Sequence, residues 1–371
     1  MARDAGHLDG APREEGFVRS LLEAIPLPAF LISGDEKIEM TNAPGAQFFG
    51  DIALEGRHYM AVMRQPSLVS AIERALNTQS AVPTRYLRSM GDRQESFRVL
   101  VSPVAHQGPE REVIVTFEDV TDLHLAKEMR RDFVANVSHE LKTPLTAMIG
   151  FIETLQGAAS EDPAARARFL GIMGAEAERM NRLVADLLSL SRVESDERVR
   201  PTQTVSVSQL VDSTLRALRP LADKTDVTLY LRLSEPPEDL ALQSTVIGDG
   251  DQLQQVFTNL IENAIKYGGA GGEVIVAVTV HRQGLGFQSG FVQVDVIDMG
   301  DGFDPVHIPR LTERFYRVDD HRSRGLGGTG LGLAIVKHIL NRHKGRLRIE
   351  SALGKGARFS VLLPTDSPKP L

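Results

Sequence analysis

A histidine lies next to a carboxylate, and one helical turn before a hydroxyl, in the segment Asp132–Thr146, DFVANVSHELKTPLT. The three residues are His139, Glu140 and Thr143. A neutral imidazole nitrogen is a good nucleophile near neutral pH, and an adjacent carboxylate can orient the ring and accept the proton of its other nitrogen. A hydroxyl at position i+4 shares the helical face and could position a water that later removes a phosphoryl group. These residue types therefore suggest phosphoryl transfer through the imidazole.

The spacing of apolar residues places this histidine on a helix. The apolar stripe consists of Val134, Val137, Leu141, Leu145, Met148, Ile152 and Leu155. Four of its members recur every seven residues, which predicts helix–helix packing. His139 is two residues from Val137, about 200° around the helix, so its imidazole should be exposed to solvent. Pro144 removes one helical hydrogen bond and predicts a kink. Taken alone, the histidine could also be a solvated residue on a coiled-coil face.

A second group of polar residues lies on a helix predicted at Gln252–Gly268. The predicted buried side consists of Leu253, Val256, Leu260, Ile261, Ala264 and Ile265. Asn259, Asn263 and Tyr267 stand at i, i+4 and i+8 and form one ridge on another face, with Lys266 beside it. Without further context these residues could form an ordinary polar face.

Two glycine-rich turns follow along the chain. A strand with alternating apolar residues runs into Asp298-x-Gly300-x-Gly302, where glycine allows a sharp turn and close approach to a ligand. The carboxylate there can accept a hydrogen bond from an exocyclic amine. The second turn, Gly327–Leu333 (GGTGLGL), opens an apolar helix, and helix N-termini favour phosphates. One such turn could be a simple loop, but the order and spacing of all the segments indicate a nucleotide site.

These segments resemble sensor histidine kinases of two-component systems. Ser138–Leu145, SHELKTPL, is similar to the phospho-acceptor box of that family at every position. The helix with Asn259 and Asn263, the Asp298 turn, the ERFY segment Glu313–Tyr316 and the second glycine turn resemble the N box, the D-x-G-x-G box, the F box and the second glycine box. The resemblance implies a Bergerat-type α/β-sandwich ATP-binding domain, shared with gyrase-, mismatch-repair- and chaperone-type ATPases.

The resemblance also implies roles for single residues. Asn259 and Asn263 would face the triphosphate of ATP, with Asn263 holding Mg²⁺. Lys266 would neutralise phosphate charge, Tyr267 would stack on the adenine, and Asp298 would bind the adenine amino group. The remaining members of the predicted nucleotide site are Gly300, Gly302, Gly328, Thr329, Gly330, Leu331 and Gly332.

One position distinguishes a kinase from the ATP-hydrolysing relatives of this fold. By resemblance, those relatives carry a glutamate general base one turn before the metal-binding asparagine, and here that position is Asn259. An amide cannot take a proton from water, so hydrolysis by this route is not expected. Thr312 and Met299 depart from the family pattern, but neither touches a proposed metal or base contact. The sequence therefore predicts a catalytically competent kinase.

Composition narrows the possible classes further. The chain has 371 residues, a net charge of −7 and no cysteine. The negative charge argues against nucleic-acid binding, and the absence of thiols excludes disulfides and zinc–thiolate sites. No apolar run approaches the ~20 residues that span a bilayer. We expect a cytoplasmic bacterial protein, or one that reaches the membrane through an upstream partner or a missing anchor.

The predicted fold class is multidomain α+β. Residues 1–16 are expected to form a flexible leader and residues 17–121 a sensor domain. Its short alternating strands and its Asp119-Val120-Thr121 ending resemble a PAS domain, and a generic α+β dimerisation module is the alternative.

Three further segments complete the predicted organisation. Residues 122–197 form an antiparallel helical hairpin with one apolar seam on each helix. Such seams are buried when two copies form a four-helix bundle, which predicts a homodimer. The alternative is a hairpin that packs on another domain of the same chain. The ATP-binding domain is expected at 198–365, followed by a tail at 366–371.

The predicted function is autophosphorylation of His139 from ATP, followed by phosphoryl transfer to an aspartate of a separate response regulator receiver domain. Thr143 could support phosphatase activity toward the same partner. Within the family, the motifs look most similar to the phosphate-regulon sensor (PhoR-like) group. The alternative is a nucleotide-binding regulatory scaffold without catalysis, which predicts damage to the histidine box or to Asn263, and neither is present.

Overall fold

The computed structural model describes residues 11–50, 53–91, 93–104, 111–157, 161–197, 199–233, 244–268, 272–287, 290–318 and 328–365. The chain forms two compact units, Met1–Val134 and Ala135–Leu371. No helix within the described ranges is both long enough and apolar enough to cross a membrane.

The N-terminal unit is built on a five-stranded antiparallel sheet. Its strands are β1 (Ala29–Ile32), β2 (Ile38–Thr41), β3 (Val82–Met90), β4 (Arg93–Val104) and β5 (Glu112–Asp119), in the order β2-β1-β5-β4-β3. Its helices are α1 (Ala11–Glu23), α2 (Ala43–Phe48) and α3 (Pro66–Thr78), with a 3₁₀ helix at Tyr59–Ala61. Alternate residues of the strands pack with α3 in one apolar core that includes Phe30, Ile72, Val99 and Phe117.

The end of the sheet has the geometry that the Asp-x-Thr pattern predicts. The Asp119 carboxylate accepts a hydrogen bond from the Thr121 N–H at 2.9 Å. The buried Thr121 hydroxyl accepts a hydrogen bond from the Ser96 N–H at 3.0 Å. Thr121 is the first residue of α4 (Thr121–Gln156), so this cap ties the last strand to the long helix.

Two features of this unit differ from the sequence expectation. The sequence predicts a loose leader through residue 16, whereas α1 begins at Ala11. Pro12 suits the first turn of a helix, and the arginine and glutamates that follow are good helix formers. Strand β3 is not among the predicted strands, because Pro83 and the charged residues obscure its alternation of inward and outward side chains. Residues 1–10 and the tail at 366–371 lie outside the described residues.

The second unit contains the helical hairpin. Helix α5 (Pro163–Asp196) follows the turn after α4, and Pro163 lies in its first turn, a position that suits proline. The Asp162 carboxylate caps α5 by accepting hydrogen bonds from the N–H groups of Ala164 and Ala165 at 2.9 and 3.0 Å. Leu145 and Ile152 of the predicted seam are 49 % and 42 % exposed within the single chain. The seam of α4 is therefore only partly covered by α5.

The ATP-binding fold predicted from the sequence is present as an α/β sandwich. One sheet has the order β11-β12-β10-β9-β7, with β7 and β9 parallel, and β6 pairs with β8. The strands are β6 (Gln203–Ser206), β7 (Thr228–Leu233), β8 (Thr245–Gly248), β9 (Glu273–His281), β10 (Phe291–Asp298), β11 (Arg346–Ser351) and β12 (Ala357–Pro364). The helices are α6 (Val207–Lys224), α7 (Gly250–Tyr267) and α8 (Gly332–Arg342), with a 3₁₀ helix at Pro305–Arg310. Helix α7 packs between α6 and α8 and contacts β10, so the N-box helix is fixed from three sides.

Candidate active site

His139 lies on α4 with its side chain exposed, as the apolar pattern predicts. Its imidazole has no hydrogen-bond partner among the described residues, so its nitrogens are available to a reactant. The Thr143 hydroxyl donates a hydrogen bond to the His139 carbonyl at 3.2 Å, which places it one turn below the ring. Pro144 is buried inside the same helix.

Glu140 is engaged away from the imidazole. Its carboxylate lies 2.7 Å from an Arg179 guanidinium nitrogen on α5 and 3.5 Å from an Arg317 nitrogen. Arg179 also pairs with Glu176 at 2.9 Å. In this conformation Glu140 is held by two arginines, so a role as proton acceptor requires it to leave them.

The N-box residues lie on the predicted face of α7. All six apolar residues predicted for the buried side are buried, and Phe257 joins them. Asn259, Asn263, Lys266 and Tyr267 are only partly buried. The Asn259 amide donates a hydrogen bond to the Gly332 carbonyl at 3.4 Å, so the N box and the glycine box are neighbours. Lys266 forms an ion pair with Glu262 at 2.7 Å.

Asp298 ends strand β10 at the floor of the site and is 5 % exposed. Its Oδ1 accepts hydrogen bonds from the N–H groups of Gly300 at 3.0 Å and Ala357 at 3.3 Å. Burial raises the pKa of this carboxyl, while these two hydrogen bonds lower it. Oδ2 has no hydrogen-bond partner among the described residues, so one oxygen remains for a ligand.

The glycine after Asp298 allows a close approach of two site segments. A Cβ on Gly300 would lie 2.2 Å from the carbonyl oxygen of Tyr267, at the end of α7. Only a residue without a side chain fits there. Gly300 therefore brings the Asp298 turn against Tyr267, and Gly302 follows in the same turn.

The F-box segment and the second glycine box are hydrogen-bonded to each other. The Phe315 N–H donates to the Gly330 carbonyl at 2.8 Å, and Arg317 donates to the Gly328 carbonyl. The buried Leu331 precedes α8, and Gly332 is the first residue of that helix. Gly327, the first predicted residue of this box, lies outside the described residues.

The groups present suit a nucleoside triphosphate with Mg²⁺. The buried carboxylate with a free oxygen suits an exocyclic amine, and the N-terminus of α8 beside the Asn259 amide suits phosphate oxygens. No cluster of three or more His, Cys, Asp or Glu side chains that could hold a metal occurs in the described part of the chain. Mg²⁺ is commonly held by one or two protein oxygens together with substrate phosphates, which fits an asparagine ligand.

Three residues of this region carry no signal in the sequence. Arg179, Asp186 and Arg317 meet Glu140 or the glycine box only in the folded chain. Asp186 on α5 accepts a hydrogen bond from the Thr329 hydroxyl at 2.7 Å. Burial raises the pKa of the Asp186 carboxyl, and the Thr329 hydrogen bond lowers it. Each of the three lies at least 39 positions along the chain from the Glu140 or Thr329 side chain that it contacts, so no local pattern could reveal them.

Comparison with known families identifies two segments of the chain. Residues 129–196 match the His Kinase A (phospho-acceptor) domain. Residues 248–367 match the Histidine kinase-, DNA gyrase B-, and HSP90-like ATPase family. The acceptor box and the residues predicted to bind nucleotide fall within these two ranges. The chain belongs to the sensor histidine kinase family.

The similar proteins include sensors of the PhoR and SenX3 type. The phosphate regulon sensor protein PhoR of Pseudomonas aeruginosa is 41% identical over 250 residues, which cover 67% of this chain and 53% of PhoR. The sensor-like histidine kinase SenX3 of Mycobacterium tuberculosis is 37% identical over 254 residues, covering 68% of this chain and 58% of SenX3. The chain thus spans little more than half the length of these relatives. The solved complex of histidine kinase ThkA with response regulator TrrA matches with a TM-score of 0.49 and 23% identity, covering 93% of this chain and 98% of that chain.

Proposed function

We propose that this protein is an ATP-dependent protein-histidine kinase that phosphorylates His139 and passes the phosphoryl group to a response regulator. The observation that carries the proposal is an exposed imidazole in a complete acceptor box, with no hydrogen-bond partner among the residues that the structure describes, within one unit with an ATP-binding fold. A kinase needs a nucleophile that solvent and substrate can reach. His139 meets that requirement.

The nucleotide would lie between α7, the Asp298 turn and the glycine box. Asp298 would accept a hydrogen bond from the adenine amine, and Tyr267 would stack on the ring. Asn259, Lys266 and the residues Gly328–Gly332 would bind the phosphates. Asn263 would hold Mg²⁺, which supplies positive charge against the phosphate oxygens when bound.

The phosphotransfer step conserves atoms and charge as follows. One imidazole nitrogen of His139 attacks the γ-phosphorus, and the bond from that phosphorus to the bridging oxygen breaks as ADP leaves. The proton of the other imidazole nitrogen passes to Glu140 once that carboxylate has left Arg179 and Arg317. The phosphoryl group then moves to an aspartate carboxylate of the receiver domain, and Glu140 returns the proton to the ring, which restores the neutral histidine.

The rest of the chain would serve as sensor and assembly module. The antiparallel order β2-β1-β5-β4-β3 and the Asp119–Thr121 cap support a PAS-like sensor domain at 17–121. The half-exposed apolar seam of the hairpin at 122–197 supports a homodimeric four-helix bundle. The ATP-binding domain would occupy 198–365. Similarity to the phosphate regulon sensor protein PhoR supports a PhoR-like role in phosphate signalling.

The assignment of His139 is tested by labelling two variants with γ-labelled ATP and Mg²⁺. His139→Gln should lose the protein-bound label while still binding nucleotide. His124→Gln is the matched control, since His124 lies on the same helix α4 and pairs with Glu128. Label retained by His139→Gln, or lost in both variants, would contradict the assignment.

A phosphatase role for Thr143 has a separate test. The hydroxyl lies one turn from His139, where it can orient a water toward a phosphorylated partner. Thr143→Ala should keep autophosphorylation and slow the dephosphorylation of the regulator. Equal loss of both activities would show that Thr143 has no separate role.

A further inference from the structure

A cavity of about 220 Å³ lies within the N-terminal unit, between its sheet and the start of α4. The sheet contributes residues of β3 and β4, and the other wall consists of residues that lie 3, 4 and 7 positions after Val120, so they share one helical face. The seven lining residues are Thr84, Arg85, Arg98, Val120, Leu123, His124 and Lys127. Four of these seven side chains are basic, and none of the seven is acidic.

Two of the basic residues oppose each other across the strands. Arg85 of β3 and Arg98 of β4 are direct partners in the register of the antiparallel pair. Both are exposed, whereas Phe97 and Val99 on either side of Arg98 are buried, so the arginines lie on the face of the sheet away from the apolar core. Side chains that are directly opposite have Cβ atoms about 5 Å apart, and like charges there destabilise a sheet. The arginine pair therefore costs free energy unless an anion lies between its members.

The nearby acids neutralise only part of this charge. Glu118 of β5 pairs with Arg98 at 3.0 Å, and Glu128 of α4 pairs with His124 at 3.1 Å. No acidic side chain pairs with Arg85 or Lys127 in the described part of the chain, and both are exposed. One uncompensated cation of the sheet and one of α4 therefore line the same cavity.

We propose that this cavity binds a small organic anion with two or more negative charges, a phosphate ester or a polycarboxylate. A guanidinium binds phosphate and carboxylate oxygens through paired N–H donors, and an ammonium binds them as a point charge. Val120 and Leu123 add an apolar surface that suits a short carbon frame. An anion held by both Arg85 and Lys127 ties the sheet to the first two turns of α4. The inference goes beyond the proposed function and does not depend on it.

The first test measures binding to the full chain by titration calorimetry at low ionic strength, with glycerol 3-phosphate and tricarballylate as the two probes. Arg85→Gln and Lys127→Gln should each weaken binding about tenfold, the loss expected for one hydrogen bond to a charged group. Arg74→Gln is the matched control, because Arg74 is an exposed arginine on α3, which packs on the opposite face of the sheet. It should leave the affinity unchanged.

The second test asks whether the bound anion joins the sheet to α4. Hydrogen exchange of the backbone amides at 121–127 should slow several-fold when the probe saturates the wild-type chain, and should not change in Arg85→Gln. Without a probe, Arg85→Gln should unfold at the same temperature as the wild type or at a higher one, because the substitution relieves the repulsion from Arg98. That measurement also shows that the variant is folded.

The two probes identify the kind of anion. Binding of one probe alone that depends on Arg85 and Lys127 assigns the site to phosphate esters or to polycarboxylates, and such binding of both assigns it to their shared charge. Three results would overturn the site: neither probe binds the wild type at millimolar concentration, Arg85→Gln binds as tightly as the wild type, or Arg74→Gln weakens binding as much as Arg85→Gln does. A probe that binds elsewhere, including the predicted nucleotide site, gives the second of these results.

Discussion

The carboxylate of Asp298 shows how a single residue can serve both the fold and the site. Its Oδ1 satisfies two backbone N–H groups, from Gly300 and Ala357, and these bonds stabilise the charged form against the cost of burial. Oδ2 remains for a ligand. Removing the whole carboxylate would leave two N–H groups without an acceptor, so an informative substitution must keep one oxygen.

Asp298→Asn is therefore the substitution that separates ligand binding from folding. The amide oxygen can still accept the backbone hydrogen bonds, whereas the NH₂ group faces the adenine amine as a second donor. Nucleotide binding should weaken by about 1–3 kcal/mol, the cost of an unmatched buried polar contact. Isothermal calorimetry gives the affinity, and the thermal unfolding midpoint checks the fold.

The control for this substitution is on the same strand. Asp295→Asn changes a carboxylate that accepts hydrogen bonds from Gln293 at 2.9 and 3.0 Å. It should leave nucleotide affinity unchanged. Equal affinities of wild type and Asp298→Asn would remove Asp298 from the adenine contact.

For single residues, the sequence predicts the members of local motifs, but it does not predict the distant residues that they contact. His139 is exposed and the six apolar residues of α7 are buried, because helical periodicity determines both. The pairing of Glu140 with Arg179 and Arg317 could not be predicted. It depends on how α4, α5 and the F-box region pack, and no local spacing encodes that arrangement.

Among the structural elements, the turn between strands β11 and β12 contains Gly354 and Gly356. Substitutions at these two glycines can separate a steric clash from backbone strain. Both residues have positive φ, +74° for Gly354 and +69° for Gly356. A Cβ at Gly356 would lie 2.0 Å from the Asp298 carbonyl oxygen, whereas a Cβ at Gly354 would meet nothing within 4 Å. A side chain would therefore strain the backbone at both positions, but only at Gly356 would it also lack room.

Substitution of these two glycines by alanine should separate the two effects. Gly354→Ala should cost about 1–2 kcal/mol for the left-handed backbone alone. Gly356→Ala should cost a further ~1–3 kcal/mol or more, because the turn must move away from Asp298. Calorimetric unfolding of the full chain gives both values, and equal destabilisation by the two substitutions would refute the steric argument.

The sequence predicts a helix or a strand correctly where its apolar periodicity continues without interruption. Helix α7 lies close to its predicted position, and strand β10 runs into the Asp298 turn as predicted, since apolar spacing and turn residues agree there. Strand β3 is obscured by Pro83, and α1 begins within residues that composition alone suggests are loose. Helix α6 is not among the predicted elements, although its buried side, which includes Val211, Leu215 and Leu218, has helical spacing.

For the whole molecule, the hairpin seam is the strongest indication of self-association. Large apolar side chains remain exposed on both helices: Val134, Leu145, Ile149, Ile152, Leu170, Ile172, Val184 and Leu188. Two antiparallel helices cannot bury seams of this extent, but a four-helix bundle of two chains can.

The double substitution Leu145→Arg, Ile152→Arg should convert the proposed dimer to a monomer. Each chain would place two cations in a desolvated seam opposite its partner, which costs several kcal/mol of association free energy. Light scattering at tens of micromolar gives the mass. Leu353→Arg is the control, because Leu353 is 71% exposed in the ATP-binding domain and should leave the dimer intact. A wild-type monomer, or a dimer that survives both arginines, would contradict the bundle.

The central claim is that the γ-phosphoryl group of ATP moves to a histidine of this chain and not to water. The most direct measurement incubates the protein with γ-labelled ATP and Mg²⁺ and follows protein-bound label and free phosphate in the same time course. We predict label on the protein that is lost in acid and stable in base, with little free phosphate until a regulator is added. Steady release of phosphate without protein-bound label would show an ATP hydrolase and contradict the account.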